Sequence, residues 1–319
     1  MAKQIYVKMD GRLGNQMFQY AFGRQMQEYI GGELILDFTS HRINSSKRIY
    51  GDNGMCNSLV HFNVKPYTYV DLGNYQKERI PVIQRILFKI ARFLKPMTKR
   101  QWWIEIFEFL DHAILQHFGV FFLESVNPVK YLKWPSAKKE NIFIRSWAES
   151  EKFFSGISEQ LREEFTPLYP IPEKFENLYY KLQTNESVCV SIRRGDFTSS
   201  TFSSRYLVCD IDYYQKGIAY LNERLRDMLI YVCSDDIDWC IENIHFEGNV
   251  IFEPKGMEIW DKVRFMSACH HFIISNSTFS WWCQYLSPYK DKIVIAPPKW
   301  RIVYPAPKDI YQKNWTILE

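Results

Sequence analysis

The sequence predicts an α/β protein built on parallel sheets, and three observations carry that reading. Five short apolar runs in the second half, at 188–192, 229–233, 249–252, 271–275 and 292–296, alternate with segments of helical spacing. The opening residues contain a strand, a glycine-bearing loop, a helix and a second strand, which is one βαβ unit. Between the halves, Phe165–Pro172 carries three prolines, Pro167, Pro170 and Pro172. Proline resists helix interiors and strand ladders, so this segment predicts a boundary between two domains, 1–165 and 173–319. Strands separated by helices pair in parallel through right-handed crossovers.

The first strand is expected at residues 4–9. The loop Asp10-Gly11-Arg12-Leu13-Gly14-Asn15-Gln16 follows, and then Met17, Phe18, Ala21, Phe22 and Met26 recur at helical spacing. The second strand is expected at 33–38. A glycine loop opening a helix lets backbone N–H groups approach an anion, which makes Gly14 a candidate for that contact. A tight turn with Gly14 in the left-handed conformation explains the glycine equally well. The loop is neither a Walker loop nor GxGxxG. Residues 40–75, rich in Asn, Ser, Gly and Tyr, are expected to be loops facing a ligand or solvent.

From Lys77 to Trp103 the chain is basic and amphipathic. Ile83, Ile86, Leu87, Ile90 and Leu94 share one helical face, and Arg85, Lys89 and Arg92 share another; Lys95, Lys99, Arg100, Trp102 and Trp103 follow. This pattern suits a membrane surface bearing anionic lipid, and it equally suits a helix packed on its own domain. An aromatic helix is expected over 104–117 and a short strand at 141–145.

Composition narrows the function classes. The chain has 319 residues, 46% hydrophobic and 17% aromatic, enough for two packed cores and against disorder. A net charge of +4 with no helix-turn-helix, zinc-finger or RNA-recognition signature gives no nucleic-acid reading. Seven cysteines form no CxxC pair, and several sit in apolar runs, as expected of free thiols in the cytoplasm. The N-terminus enters a strand pattern without a signal-peptide core, and no run of about 18 apolar residues appears.

Three polar clusters fall at the predicted carboxyl ends of strands, where open parallel sheets bind ligands. Arg193-Arg194-Gly195-Asp196 ends the first strand of the second half. Ser234-Asp235-Asp236 ends the next. Ser275-Asn276-Ser277-Thr278-Phe279-Ser280 ends the fourth and opens a helix. Arginine presents a planar fork of donors that matches phosphate oxygens, and a helix start adds free N–H groups and a positive dipole end. With strand order 3-2-1-4-5, the first and fourth strands are neighbours, and the two clusters form a diphosphate site. Buried ion pairing by the arginines and simple N-capping by the serines fit the same residues. Asp236-Ile237-Asp238 matches a DxD metal pattern, and Asp235 or Asp236 also serves as a helix cap. Trp281 and Trp282 are expected to be core wedges. No HExxH, Gly-x-Ser-x-Gly or Cys–His pattern supports a hydrolase.

The segments Gly11–Met17, Ser191–Phe197, Asp212-Tyr213-Tyr214, Cys233–Asp236 and Asn276–Trp282 resemble glycosyltransferase family 11, the α-1,2-fucosyltransferases, in order and spacing. The likeness covers 5–30 and about 188–300. It implies a GT-B-like architecture, two Rossmann-like domains facing across a cleft. The N-terminal domain, with segment 77–103, lies on the acceptor side, and the C-terminal domain binds the GDP-sugar. It implies transfer of L-fucose from GDP-fucose to the 2-hydroxyl of a galactose-terminated oligosaccharide such as a bacterial surface polysaccharide, with inversion and no required metal or cofactor. By this resemblance Arg193 contacts the diphosphate with support from Arg194; Ser277, Thr278 and Ser280 bind phosphate; and Asp235 and Asn276 complete the donor-binding set. Arg12, Gly14 and Asn15 approach it from the other domain, and Arg193 and Asp196 are the catalytic residues. Ser191 stands where the family usually has histidine, and Phe197 where it has tyrosine. Two other classes remain open to the sequence. One is a metal-dependent GT-A transferase using Asp236 and Asp238. The other is a non-catalytic nucleotide- or glycan-binding protein held peripherally on a membrane by 77–103.

Overall fold

The computed structural model describes residues 3–40, 56–71, 73–74, 80–94, 101–123, 129–130, 132–199, 203–206, 209–302 and 309–318; at 101–102 and 104–105 only the backbone is described. The chain forms two units. Met1–Val60, Val64–Glu164 and Pro307–Ile310 make the first, and His61–Asn63, Phe165–Ala306 and Tyr311–Glu319 make the second.

The first unit holds β1 (Gln4–Lys8), β2 (Glu33–Asp37), β3 (Thr68–Val70), β4 (Val120–Phe121) and β5 (Asn141–Ile144). Their order is β3-β2-β1-β5-β4, with every pair parallel. Helix α1 (Leu13–Ile30) joins β1 to β2 and is buried around most of its circumference. Gly23 permits that close approach, because a Cβ there would meet Val7 Cγ2 at 2.6 Å. One charge lies within: Arg24 pairs with Glu28 at 2.6 Å and Glu164 at 3.1 Å, and Tyr20 Oη donates to Glu164 at 2.6 Å. Partners on both sides make burial of this guanidinium tolerable.

Helix α1 begins at Leu13, ahead of the apolar spacing that opens at Met17, so Gly14 and Asn15 sit in its first turn. The left-handed residue of the loop is Gly11, φ 77°, and not Gly14. The loop expectation for 40–75 is corrected by a 3₁₀ turn at Ser58–His61 and by β3; residues 41–55 lie outside the described set. The basic segment forms α2 (Val82–Leu94); 95–100 also lie outside the described residues. Helix α3 (Gln101–Leu110) stops short of the expected 117. Asp111–Leu115 winds as a π-helix and Gln116–Phe118 as a 3₁₀ turn. The buried Asp111 carboxylate accepts from Gln116 Nε2 at 2.7 Å and Phe122 N at 2.9 Å, tying the wide turn to the residue after β4. Helix α4 (Ser158–Glu164) closes the unit.

The second unit opens with α5 (Glu173–Thr184), a helix that the sequence reading passed over. Then come β6 (Ser187–Ile192), α6 (Ser203–Tyr206), α7 (Ile211–Asn222), β7 (Leu229–Ser234), α8 (Ile237–Asn243), β8 (Asn249–Phe252), α9 (Ile259–Ser267), β9 (His271–Ile273), α10 (Thr278–Leu286), β10 (Val294–Ala296) and β11 (Thr316–Ile317). The sheet order is β11-β10-β9-β6-β7-β8, all parallel. This is the expected 3-2-1-4-5 order, extended by a sixth strand too short to leave a pattern. β6 and β7 are buried along their whole length, as central strands covered on both faces must be. Val188, Val190, Ile230, Val232 and Ile273 fill the core against α7, each contributing about 1.5–3 kcal/mol through burial. Trp281 and Trp282 are wholly buried, as expected: Trp282 meets Phe165 edge-on at 5.0 Å and Trp281 stacks on Tyr285 at 4.9 Å.

Candidate functional site

In the second unit, strand order reverses between β6 and β9, the position at which open sheets of this type leave a crevice. β6 and β9 run parallel, so the segments that follow them emerge on one rim. After β6 come Arg193 and Arg194, then a 3₁₀ turn at Gly195–Thr198. After β9 come Ser275, Asn276 and the start of α10. Ser191 Oγ lies 2.6 Å from Ser280 Oγ, which also contacts Ser275 Oγ at 3.2 Å. The two segments are therefore stitched together directly beneath the arginines.

The arginines are held rather than free. Arg193 pairs with Asp196 through Nη2 and with Asp235 through Nη1, the latter at 2.7 Å. Its guanidinium also lies 5.2 Å from the Phe197 ring centroid. Arg194 places its guanidinium 3.3 Å from the Trp239 ring centroid and pairs with Asp236 at 3.2 Å. Its backbone N–H donates to Asp235 Oδ1 at 2.8 Å. Gly195 leaves room for this anchor, since a Cβ there would press on the Asp235 carboxylate. Two guanidiniums thus face Asp196, Asp235 and Asp236. An incoming anion gains from the remaining guanidinium N–H groups and the helix start, not from an unbalanced positive field.

The serine-rich segment divides into two parts. Ser277 and Thr278 are half-exposed at the N-terminus of α10, where Ser277 makes no side-chain capping bond. Ser280 and Asn276 are buried struts. Asn276 Nδ2 donates to Tyr206 O at 2.8 Å and Trp300 O at 3.0 Å, which uses both amide hydrogens. The Asp212-Tyr213-Tyr214 stretch braces the same rim from below. Tyr214 Oη donates to Ser191 O at 3.3 Å, and Tyr213 Oη to Ile274 O at 2.7 Å. Burial holds both phenols well above their ordinary pKa, so they stay protonated donors. Asp210 caps α7 by accepting from Tyr213 N at 2.9 Å. In the DxD stretch, Asp236 faces Arg194 and Asp238 pairs with Lys255 at 2.5 Å. No group of three or more His, Cys, Asp or Glu side chains among the described residues is arranged to hold a metal ion.

The first unit carries the other predicted group. Arg12 is the N-cap residue of α1, and its carbonyl accepts from Asn15 N at 2.9 Å and Gln16 N at 3.0 Å. Gly14 is buried in the first turn, and the Asn15 side chain folds over Gly11, where a Cβ would strike it. Asp37 is buried beside Lys8 at 3.6 Å. A small cleft with a cavity volume of about 10 Å³ lies past the carboxyl ends of β1 and β5, lined by Lys8, Asp10, Gln19, Arg145, Ser146 and Trp147. Next to it Ala148 has φ 48°, a left-handed conformation uncommon for a residue with a Cβ. The sequence reading did not single out this pocket. The available signal was Arg145 at the end of a strand, the same placement as Arg193.

The model of Glycosyl transferase family 11 matches residues 4–319. The chain belongs to glycosyltransferase family 11. It is similar to an α-1,2-colitosyltransferase of Escherichia coli, 27% identical over 316 residues that span 93% of this chain and 92% of the relative. It is also similar to galactoside α-(1,2)-fucosyltransferase 1 of Rattus norvegicus, 31% identical over 157 residues, 46% of this chain and 40% of the rat protein. Among solved structures, fucosyltransferase NodZ from Bradyrhizobium aligns over 90% of this chain and 94% of its own, with TM-score 0.49 and 13% identity. As a family 11 member the protein is a glycosyltransferase. Ser191 is buried and bonded to Ser280.

Proposed function

We propose that this family 11 enzyme transfers L-fucose from GDP-fucose to the 2-hydroxyl of a galactose-terminated oligosaccharide, inverting the anomeric carbon and using no metal ion or other cofactor. One observation carries the donor half: the Arg193–Arg194 end of β6 and the start of α10 share a rim at the reversal of strand order. The bond between fucose C1 and the β-phosphate oxygen breaks, and its electron pair leaves with GDP. The acceptor oxygen bonds to C1 from the opposite face and gives up its proton to a base. Charge grows on the diphosphate as the bond stretches, and fixed cations and dipoles must meet it. Arg193 and the first N–H groups of α10 take that role, with Arg194, Asp235, Asn276, Ser277, Thr278 and Ser280 holding the rim. Asp196 orients Arg193.

The α-1,2 linkage and galactoside acceptor are supported by the names of the relatives, and a bacterial surface polysaccharide is the acceptor class in view. Metal independence is supported by the engagement of Asp236 and Asp238 with Arg194 and Lys255. A cytoplasmic setting is supported by seven free thiols. Incubation of the full chain with a panel of GDP-deoxyhexoses and galactosides, followed by linkage analysis, tests the reading. A fucosyl-α-1,2-galactoside is expected. A different sugar or linkage, or GDP binding without turnover, overturns it.

A further inference from the structure

Helix α2 is apolar on two sides, and the fold uses one of them. Gln84 and Ala91 are buried, and Leu87, Phe88 and Leu94 pack on the core of the first unit. Phe88 meets Phe143 edge-on at 5.0 Å, and Gln84 Nε2 donates to Phe118 O and Asn141 O at 3.0 Å each. The second apolar side faces solvent: Val82 is 61% exposed, Ile83 47%, Ile86 48%, Ile90 48% and Phe93 79%. At 3.6 residues per turn these five fall in an arc of roughly 100°. Lys89 and Arg92, exposed, and Arg85, half-buried, occupy the adjoining arc. Residues 82–94 contain no carboxylate. The clustering extends beyond the helix, since nine of the nineteen exposed large hydrophobic side chains among the described residues lie between Val82 and Phe118.

We propose that this stripe docks the protein on an anionic lipid surface, with α2 lying in the plane of the interface. A helix that sits on a bilayer needs an apolar stripe beside a cationic edge, and α2 presents both after its core-facing side has been used. Charge argues against a second copy as the occupant. A two-fold contact through this stripe would bring Lys89 and Arg92 against their own equivalents, with no carboxylate from α2 to offset them. Anionic headgroups supply the missing countercharge. The proposal concerns a face of the first unit and does not depend on which sugar is transferred.

Co-sedimentation of the full chain with phosphatidylcholine vesicles, with and without phosphatidylglycerol, tests it, alongside sedimentation velocity without vesicles. The protein is expected to pellet with phosphatidylglycerol-containing vesicles. Ile86→Asp/Phe93→Asp is expected to weaken that partitioning at least about tenfold, because the apolar contact supplies part of the affinity. Lys89→Gln/Arg92→Gln is expected to weaken it roughly thirtyfold on anionic vesicles, at about a factor of five per charge. All four side chains are exposed, and an unchanged thermal unfolding midpoint confirms that the variants fold. The idea is overturned if wild type stays in the supernatant with both vesicle types. Equal partitioning of wild type and Ile86→Asp/Phe93→Asp overturns it too, as does a dimer that this variant dissociates while vesicles leave the wild type unbound.

Discussion

Arg193 holds Asp196 with one terminal nitrogen and Asp235 with the other, so its guanidinium plane is set before any ligand arrives. Preorganisation of this kind is what makes a fixed cation effective against charge developing in a transition state. Arg193→Ala is expected to lower turnover by about 10²–10³ with the far-ultraviolet circular dichroism unchanged. Wild-type turnover in the folded variant would remove Arg193 from the mechanism. Gly195→Ala tests the anchor rather than the cation. Its Cβ would push on the Asp235 carboxylate and release one of the two supports. Turnover is expected to fall on the order of 10²-fold, as for a small misplacement of a catalytic group, with little change in the thermal midpoint. Measuring both quantities on one preparation separates positioning from unfolding. The doublet Arg-Arg and its following Gly-Asp were legible in the sequence as a charged strand end. The second support was not, because Asp235 is remote in the chain and reaches Arg193 only through pairing of β6 with β7.

At the scale of elements, the stretch after α3 shows how a buried group reshapes a helix. Asp111 sits in the π-helical turn, with its carboxyl pushed up to about 6, first by burial and also by Glu108, against the hydrogen bonds from Gln116 and Phe122. A carboxyl whose folded pKa lies above its unfolded value favours the folded state when protonated. Its contribution is therefore full below the ordinary value of 3.8 and is lost as pH rises through about 6. Urea unfolding is expected to show wild-type stability falling over that window by on the order of 3 kcal/mol relative to Asp111→Asn. Parallel pH profiles for the two proteins would remove Asp111 as the cause. The aromatic run alone predicts an uninterrupted helix to 117, since it contains neither proline nor glycine. Only the bonds from Gln116 and Phe122 to one buried carboxylate account for the change of winding.

The whole molecule is two parallel α/β units, each with polar side chains at the carboxyl ends of its central strands. Charge is neutralised locally by arginine–aspartate pairs in the second unit and by Lys8–Asp37 in the first. On the proposed function, in which arginines and a helix dipole meet the charge on the diphosphate, turnover is expected to persist after exhaustive chelation with EDTA. Loss of activity restored by a divalent cation would shift the assignment to Asp236 and Asp238. The buried thiols of Cys189, Cys233 and Cys283 have pKa values raised by their apolar surroundings, which keeps them protonated and unreactive in the second core.

Periodicity and short-range chemistry were written in the sequence itself: the strand–helix alternation, the helix at Val82–Leu94, the arginine strand end and the serine-rich helix start. Each depends on residues close in the chain, whose alternation or 3.6-residue spacing is visible without a partner. Tertiary structure alone decided which donors and acceptors met. It set Ser280 against Ser191, spent the Asn276 amide on two carbonyls, split the apolar residues of α2 between core and solvent, and placed Arg145 beside β1. Those outcomes follow from sheet order and close packing, which bring together segments far apart in the chain, and no local pattern records them.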